Sequence, residues 1–345
     1  MTTNTAQINQ VKLTAKDYAS GSEVKWCPGC GDYAILATVQ KTFAELQLDK
    51  SNTVVVSGIG CSSRFPYYMG TYGFHSIHGR AAAIATGVKV HNPKLNVWVA
   101  TGDGDSLSIG GNHFIHAIRK NVGIKVLLFN NQIYGLTKGQ YSPTSQFGQV
   151  TKSTPYGSVD YPFNPAFVAI GAGATFFARS ADRDLKHLGD VIKRAHEHNG
   201  TAIVEILQNC VIFNDGAFEN YTEKDRKDDN VVYLEHNKPL VFGKNKNKGI
   251  RLNGFTPEVI NINEGEFSIN DCWIHDEYDT NPVRAMILAQ FSQMEGFPLP
   301  LGVFRMVNKP SLEENIHNQI ENVIKTKGEG TLEKLLYSGN TWKID

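Results

Sequence analysis

Two apolar runs, residues 97–100 and 126–129, lead into Gly102-Asp103-Gly104-Asp105 and into Asn130-Asn131, with Asp103 and Asn131 28 positions apart. The stretch between them, 109–119, has the pattern of a crossover helix. A strand, a helix and a second strand joined in this way form a right-handed unit with two parallel strand ends side by side. Ligands of open α/β sheets bind at such carboxyl ends. Glycines there let backbone N–H groups approach a phosphate. Asp103, the amide oxygen of Asn131 and the carbonyl of Ile133 make an oxygen-rich set suited to a divalent cation, Mg2+ in type, that bridges diphosphate oxygens. Either signature alone is an ordinary turn, because Gly, Asp and Asn all favour turns. The spacing, with an apolar run before each, is what points to a diphosphate site.

The rest of the chain agrees with an α/β fold. Apolar runs at 54–56, 97–100, 126–129, 175–178 and 202–206 alternate with helical patterns at 33–46, 80–90, 109–119, 165–171 and 185–198. Such alternation predicts a doubly wound, mostly parallel sheet. The 18 residues 141–158, rich in Ser, Thr, Gln, Gly and Pro, read as a long loop, and loops of that length are often active-site lids. After Asp215 come a charge run at 223–229 and a Lys/Asn alternation at 244–248, both read as solvated loops, then a helical pattern at 283–294. The expected layout is an arm over 1–20, an α/β domain over 21–230, and a C-terminal extension of mixed short elements over 231–345 that packs on a partner. With 34 basic and 34 acidic residues, nothing advertises nucleic acid or an anionic membrane as partner. No apolar run is long enough to span a bilayer, and residues 1–10 are polar without a signal-peptide pattern, so a cytoplasmic setting is expected.

Four cysteines form a second constellation. Cys27 and Cys30 sit in Trp26-Cys27-Pro28-Gly29-Cys30-Gly31-Asp32, Cys61 in Gly58-Ile59-Gly60-Cys61-Ser62, and Cys210 follows the apolar run 202–206. All are in loops beside likely strand or helix ends, so four thiolates can converge. A structural zinc site usually comes from two close cysteine pairs in a small unit. Iron–sulfur clusters tolerate one pair and two distant singles, and a Cys-x-x-Cys redox pair remains a third reading. Cys272 is left over, as a buried free thiol.

The Gly-Asp-Gly and Asn-Asn pair resembles the thiamine diphosphate motif of the transketolase-like superfamily. Together with the cysteine loops, Ile77-His78-Gly79-Arg80 and Tyr134-Gly135-Leu136-Thr137-Lys138-Gly139-Gln140-Tyr141-Ser142-Pro143-Thr144, it resembles the β subunit of 2-oxoacid:ferredoxin oxidoreductases, and within them the 2-oxoglutarate enzymes. The matching motifs run from Trp26 to Asp215, and none is recognised beyond about Lys244. The resemblance implies one 4Fe-4S cluster on Cys27, Cys30, Cys61 and Cys210. It implies Mg2+ on Asp103, Asn131 and Ile133, and thiamine diphosphate lined by Ile59, Gly60, Cys61, Ser62, His78, Gly104, Asp105, Gly135 and Leu136. The implied reaction is oxidative decarboxylation of 2-oxoglutarate with coenzyme A to succinyl-CoA and CO2, with electrons passing to ferredoxin, and it is reversible. It also implies half an active site: an α subunit supplies the glutamate that activates the aminopyrimidine, in a heterodimer or a dimer of heterodimers. Arg64, and less strongly Lys138, are the candidate partners for a distal substrate carboxylate. Pyruvate needs no such cation and is the main competing substrate. A non-redox thiamine decarboxylase subunit and a silent scaffold subunit are the more distant readings.

Overall fold

The structure, a computed structural model, describes residues 12–262 and 266–344. Most of the expected arm, and residues 263–265 of the C-terminal segment, lie outside the described residues. The strands are β1 (Thr53–Ser57), β2 (Tyr72–His75), β3 (Asn96–Gly102), β4 (Ile124–Asn130), β5 (Phe176–Ala181), β6 (Ala202–Leu207), β7 (Val231–Leu234), β8 (Val241–Phe242), β9 (Lys248–Asn253), β10 (Thr256–Asn261) and β11 (Leu299–Met306). Eight make one sheet in the order β2-β1-β3-β4-β6-β5-β11-β7, and β10-β9-β8 make a small antiparallel sheet. The first six strands of the large sheet are mutually parallel, β11 runs antiparallel to β5, and β7 lies parallel to β11.

The period-2 alternation of each strand sorts its side chains into two cores. Val54, Val56, Val97, Val99 and Val126 face one side, packed against Ala81, Ala85, Phe114, Ile118 and Ile170. Val55, Trp98, Ala100, Leu127 and Phe129 face the other, against Ile35, Val39, Phe43, Leu188 and Ile192. The helices on the first side are Ala81–His91, Gly111–Arg119 and Pro165–Gly171; those on the second are Gly31–Glu45 and Leu185–Glu197. Pro165–Gly171 starts where it does because Asn164 accepts hydrogen bonds from the amides of Ala166 and Phe167 and Pro165 needs no amide partner. From β1 the chain moves outward to β2, then returns to the other side of β1 to form β3. The seam between β1 and β3 is therefore the point where strand order reverses, which is where a crevice opens in such sheets.

Part of the C-terminal segment joins the large sheet. β11 enters the large sheet between β5 and β7, so the expected boundary at 230/231 falls within one continuous sheet. Its sequence, Leu-Pro-Leu-Gly-Val-Phe-Arg-Met, hides the strand, because Pro300, Gly302 and Arg305 break the apolar run. Gly302 has φ +123°, a Cβ there would come within 2.7 Å of the Leu234 carbonyl, and the register shifts between Val303 and Arg305. Among the described residues no helix is long and apolar enough to cross a membrane.

At the carboxyl ends of β5 and β6 a buried ion pair braces the site from below. Arg179 Nε donates to Glu205 Oε2 at 2.7 Å, and Glu205 Oε1 accepts from Asn130 Nδ2 at 2.8 Å. Arg179→Ala leaves a buried carboxylate without its cation and is expected to cost about 3–5 kcal/mol. Lys193→Ala, which removes a half-exposed pair with Glu45, is expected to cost under about 1 kcal/mol. Urea unfolding midpoints of the two variants measure the difference.

Candidate active site

Asp105 organises the crevice. It is buried in the short helix Asp103–Leu107 that follows β3. Its Oδ1 accepts from the amides of Ile59 at 3.0 Å and Gly79 at 2.7 Å and meets His78 Nδ1 at 2.6 Å, while Oδ2 accepts from Thr101 Oγ1 at 2.8 Å. One carboxylate thus ties the loop after β1, the turn after β2 and the end of β3. Gly58 is required beside it, since a Cβ there would lie 1.9 Å from Asp105 Oδ2.

Asp103, two residues earlier, is used differently. Its Oδ2 accepts from Ser142 Oγ at 2.5 Å and Thr144 Oγ1 at 2.6 Å. Its Oδ1 has no side-chain hydrogen bond among the described residues, and backbone amides at the helix start also act on the carboxylate. Burial pushes the Asp103 carboxyl up from its ordinary range, against the pull of those two hydroxyls. Asn131 donates through Nδ2 to Gln208 Oε1 at 2.8 Å, and its Oδ1 accepts from the amide of Ile133 at 3.2 Å, closing a turn around Gln132, whose φ is +57°. Tyr134 donates to the carbonyl of Gly104 at 3.1 Å, and a Cβ on Gly104 would come within 2.1 Å of the Tyr134 ring.

These elements enclose a cavity of about 170 Å³. Ile59, Gly60, Cys61, Ser62, His78, Gly104, Asp105, Gly135 and Leu136 all line it, and so do Asp103, Asn131 and Ile133. A glycine-rich wall and oxygen donors from Asp103, Asn131 and Ile133 match the chemistry of a diphosphate held through a hard cation.

The four cysteine loops meet beside the Gly135 turn, with Cys61 also in the cavity wall. Trp26 Nε1 donates to the Cys61 carbonyl at 2.7 Å, the Gly31 amide donates to the Asn209 carbonyl at 3.2 Å, and Gln208 Nε2 approaches Cys30 Sγ at 3.3 Å. Burial first, then the Asp32 carboxylate, then Cys210 and Cys27, pushes the Cys61 thiol up to about 12. The Cys30 thiol is raised by burial and then by Asp32, Cys210 and Cys61. Burial and neighbouring negative charge thus both disfavour the thiolate form at these two sites. Among the described residues no three His, Cys, Asp or Glu side chains stand close enough to grip a single metal ion. Gly135 joins the two halves: it lines the cavity, and a Cβ on it would sit 3.5 Å from Cys210 Sγ and 3.6 Å from Cys61 Sγ.

Several expected residues lie elsewhere. Arg64 is half-buried but does not line the cavity; its Nη1 donates to the Lys25 carbonyl at 3.2 Å, and its charge acts on Cys61. Lys138 is exposed at φ +75° and also stands outside the cavity wall. Asn209 donates to Asp215 Oδ1 at 2.8 Å, and Gln208 stands beside Cys30. Cys272 is buried and free. Sequence reasoning missed the roles of Ser142, Thr144, Tyr134 and Gln208. The first three lie in the quoted motif, and the dense hydroxyls of Ser142-Pro143-Thr144-Ser145 were the available signal.

Comparison with known proteins fits this geometry. Residues 58–206 match the family described as thiamine pyrophosphate enzyme, C-terminal TPP binding domain. The chain is 49% identical over 332 residues, 96% of its length and 88% of the relative's, to 2-oxoglutarate oxidoreductase subunit KorB of Mycobacterium tuberculosis. It is 51% identical over 190 residues, 55% of its length and 60% of the relative's, to 2-oxoacid:ferredoxin oxidoreductase 1, subunit beta, of Aeropyrum pernix. The chain belongs to the β subunits of the 2-oxoacid:ferredoxin oxidoreductases. A solved 2-oxoglutarate:ferredoxin oxidoreductase from Magnetococcus marinus, with 2-oxoglutarate, coenzyme A and succinyl-CoA bound, superposes with a TM-score of 0.74 at 34% identity, covering 94% of each chain. As a β subunit of this oxidoreductase family, the chain carries the thiamine-cofactor fold, and the cavity at the β1/β3 seam lies within the matched residues.

Asp105→Ala strips two backbone amides and Thr101 of their shared acceptor, at about 1–3 kcal/mol for each buried donor left unpaired. The expected outcome is at least a tenfold rise in the thiamine diphosphate dissociation constant together with a lower thermal midpoint. Equilibrium dialysis and calorimetry read the two effects.

Proposed function

We propose that this chain is the β subunit of a 2-oxoglutarate:ferredoxin oxidoreductase. In this reading it holds thiamine diphosphate through Mg2+ and carries one 4Fe-4S cluster that passes electrons to ferredoxin. The observation that carries the reading is the contact between the two sites: Cys61 itself lines the diphosphate-type cavity, and Gly135, also in its wall, lies beside the sulfurs of Cys61 and Cys210.

Asp103 Oδ1, Asn131 Oδ1 and the Ile133 carbonyl are the proposed Mg2+ ligands, and the backbone around Gly102–Gly104 the proposed diphosphate seat. Cys27, Cys30, Cys61 and Cys210 are the proposed cluster ligands. One close cysteine pair with two distant single cysteines is a ligand pattern that iron–sulfur clusters accept. When bound, thiamine diphosphate supplies the electron sink for breaking the bond to the departing carboxylate, and the cluster takes up electrons one at a time. The protein's own residues bind and orient. Asp105 fixes the loops that form the cavity floor, Tyr134 closes one side against Gly104, and Gly135 keeps the two redox groups close. His78 is held by Asp105 with its ring at the cavity edge, half-exposed and available to a substrate carbonyl or carboxylate.

The choice of 2-oxoglutarate rests on the relatives named above. No Lys or Arg is among the residues that line the cavity, so a cation for the distal carboxylate comes from Arg64 after its Lys25 contact breaks, or from the partner subunit. The same observation favours a second reading, broad use of 2-oxoacids including pyruvate. The α subunit completes the aminopyrimidine side and the coenzyme A site, in an αβ unit that pairs again. Four cysteines proposed as cluster ligands, with Cys272 buried and free, suit a reducing cytoplasm.

The test is anaerobic purification of the chain with its co-expressed α subunit. Iron and acid-labile sulfide are expected at about four each per β chain, unless the partner brings clusters of its own. A low-potential dye is expected to be reduced with 2-oxoglutarate and coenzyme A, dependent on thiamine diphosphate, and Cys61→Ser is expected to lose both iron and dye reduction. Turnover of pyruvate at an equal rate would move the substrate assignment to the second reading, and a colourless complex would sink the cluster.

A further inference from the structure

The residues that follow the Gly135 turn contain no helix or strand until Pro165, yet their first part is among the most buried polar structure in the protein. Ser142, Thr144 and Ser145 are each 2% exposed, whereas Phe147, Val150, Tyr156, Val159 and Tyr161 farther along are all more than half exposed. The buried part is anchored on Asp103. Ser142 Oγ and Thr144 Oγ1 both donate to Asp103 Oδ2, at 2.5 and 2.6 Å, and Ser145 Oγ donates to the Gln132 carbonyl at 2.6 Å. Thr144 Oγ1 has a single proton and a choice of acceptors, Asp103 Oδ2 at 2.6 Å or Asn130 Oδ1 at 3.0 Å. The shorter contact, to a carboxylate, takes it. Asn130 is itself fixed by donating to Glu205, so its oxygen and not its NH2 faces Thr144. The carboxylate of Asp103 is therefore divided: Oδ2 is committed to the loop, no side-chain donor takes Oδ1 among the described residues, and the residue lines the cavity.

We infer that Ser142 and Thr144 are positioning residues that latch the loop 141–163 to Asp103, so that loading of the metal–diphosphate site and ordering of this loop are linked. The inference rests on the proposed role of Asp103 as a Mg2+ ligand. Two hydroxyls and a cation share one carboxylate from its opposite oxygens. Each holds it in the orientation the other needs, and such linkage is reciprocal by thermodynamic necessity. The loop in turn borders a cleft of about 610 Å³, formed by Tyr141, Ser142, Pro143, Asp160, Tyr161 and Phe163 against Leu107, Ser108 and Tyr134. Tyr141 Oη donates to Asp160 Oδ2 at 2.8 Å and the Phe163 amide to the Pro143 carbonyl at 2.8 Å, so the base and the return limb of the loop move together. The latch is thus a route by which loading of the cofactor cavity steadies the adjoining cleft.

The experiment uses the αβ complex with its cluster intact, stripped of thiamine diphosphate and Mg2+. Wild type, Ser142→Ala/Thr144→Val and the hydroxyl-keeping Thr144→Ser are compared by two readouts. One is the Mg2+ concentration that half-saturates thiamine diphosphate binding in equilibrium dialysis. The other is amide hydrogen exchange of peptides spanning 141–163, with and without Mg2+ and thiamine diphosphate. Wild type and Thr144→Ser are expected to share one Mg2+ requirement and to show slower loop exchange on loading. The double variant is expected to need about tenfold more Mg2+ or beyond, as when a hydrogen bond to a metal-ligating carboxylate is lost. Its loop exchange is expected to be the same loaded or empty, with unchanged exchange in β3 and β4 as the control for folding. If the double variant fails that control, Ser142→Ala and Thr144→Val alone carry the same two readouts. Variants without the hydroxyls that keep the wild-type Mg2+ requirement, or whose loop still slows on loading as in wild type, overturn the latch. Asp103→Asn separates the two claims: wild-type Mg2+ dependence in that variant overturns the metal assignment, whereas its loss together with an unlatched loop in wild type overturns the latch alone.

Discussion

Everything at the catalytic end of this fold hangs on a carboxylate that never meets the ligand side alone. Asp105, buried at the carboxyl end of β3, accepts from two backbone amides and a threonine hydroxyl and holds the His78 ring. A strand end in an α/β sheet leaves backbone donors in loops that water would otherwise have to satisfy. One ionisable side chain, placed where three such loops converge, meets that need and sets their spacing together. The glycines around it follow from the same crowding. Gly58 touches Asp105, Gly79 has φ +70° and packs on Gly110, and Gly104 lies under the Tyr134 ring. Larger residues would push apart the surfaces that Asp105 draws in.

Asp103 and Asp105 are a contrast drawn by two residues of sequence. Both are 2% exposed and both sit on the same short helix. Asp105 has both of its oxygens engaged by the protein and is structural. Asp103 gives Oδ2 to two loop hydroxyls, has no side-chain donor on Oδ1 among the described residues, and lines the cavity, an arrangement that leaves a buried carboxylate anchored while suiting the metal role proposed for it. The same division of labour recurs at Gly135. Its backbone shapes part of the cavity wall, and the sulfurs of Cys210 and of Cys61, itself a lining residue, lie 3.5 and 3.6 Å from where its Cβ would sit.

Much of this was legible in the sequence because it lies in local patterns. The strands β1, β3, β4 and β6 are short apolar runs with turn residues at their ends, and the helix Pro165–Gly171 carries its own cap. Every residue expected around the cofactor lines one cavity, since strand-end motifs of a parallel sheet are brought together by topology alone. What was not legible depends on contacts between distant segments. β11 joins the sheet despite Pro300, Gly302 and Arg305, because β5 and β7 offer it edges that the sequence cannot show. β2 is four residues with a glycine, too short to separate from a loop. Arg64 sits beside the right cysteine in sequence, yet its guanidinium reaches the Lys25 carbonyl, a pairing set by how the cysteine loop folds back. Ser142 and Thr144 acquire their roles only when a loop 39 and 41 residues downstream of Asp103 returns to it.

The central claim is that the cavity and the thiols form one redox path through the Gly135 wall. Its most direct test is electron paramagnetic resonance of the anaerobic αβ complex, frozen after 2-oxoglutarate and coenzyme A are added without any external reductant. The account predicts the signal of a reduced cluster in wild type. In Asp103→Ala the signal should be absent, although dithionite still produces it. A wild-type cluster that dithionite reduces but substrate does not, or one that substrate reduces equally well in Asp103→Ala, would contradict the account.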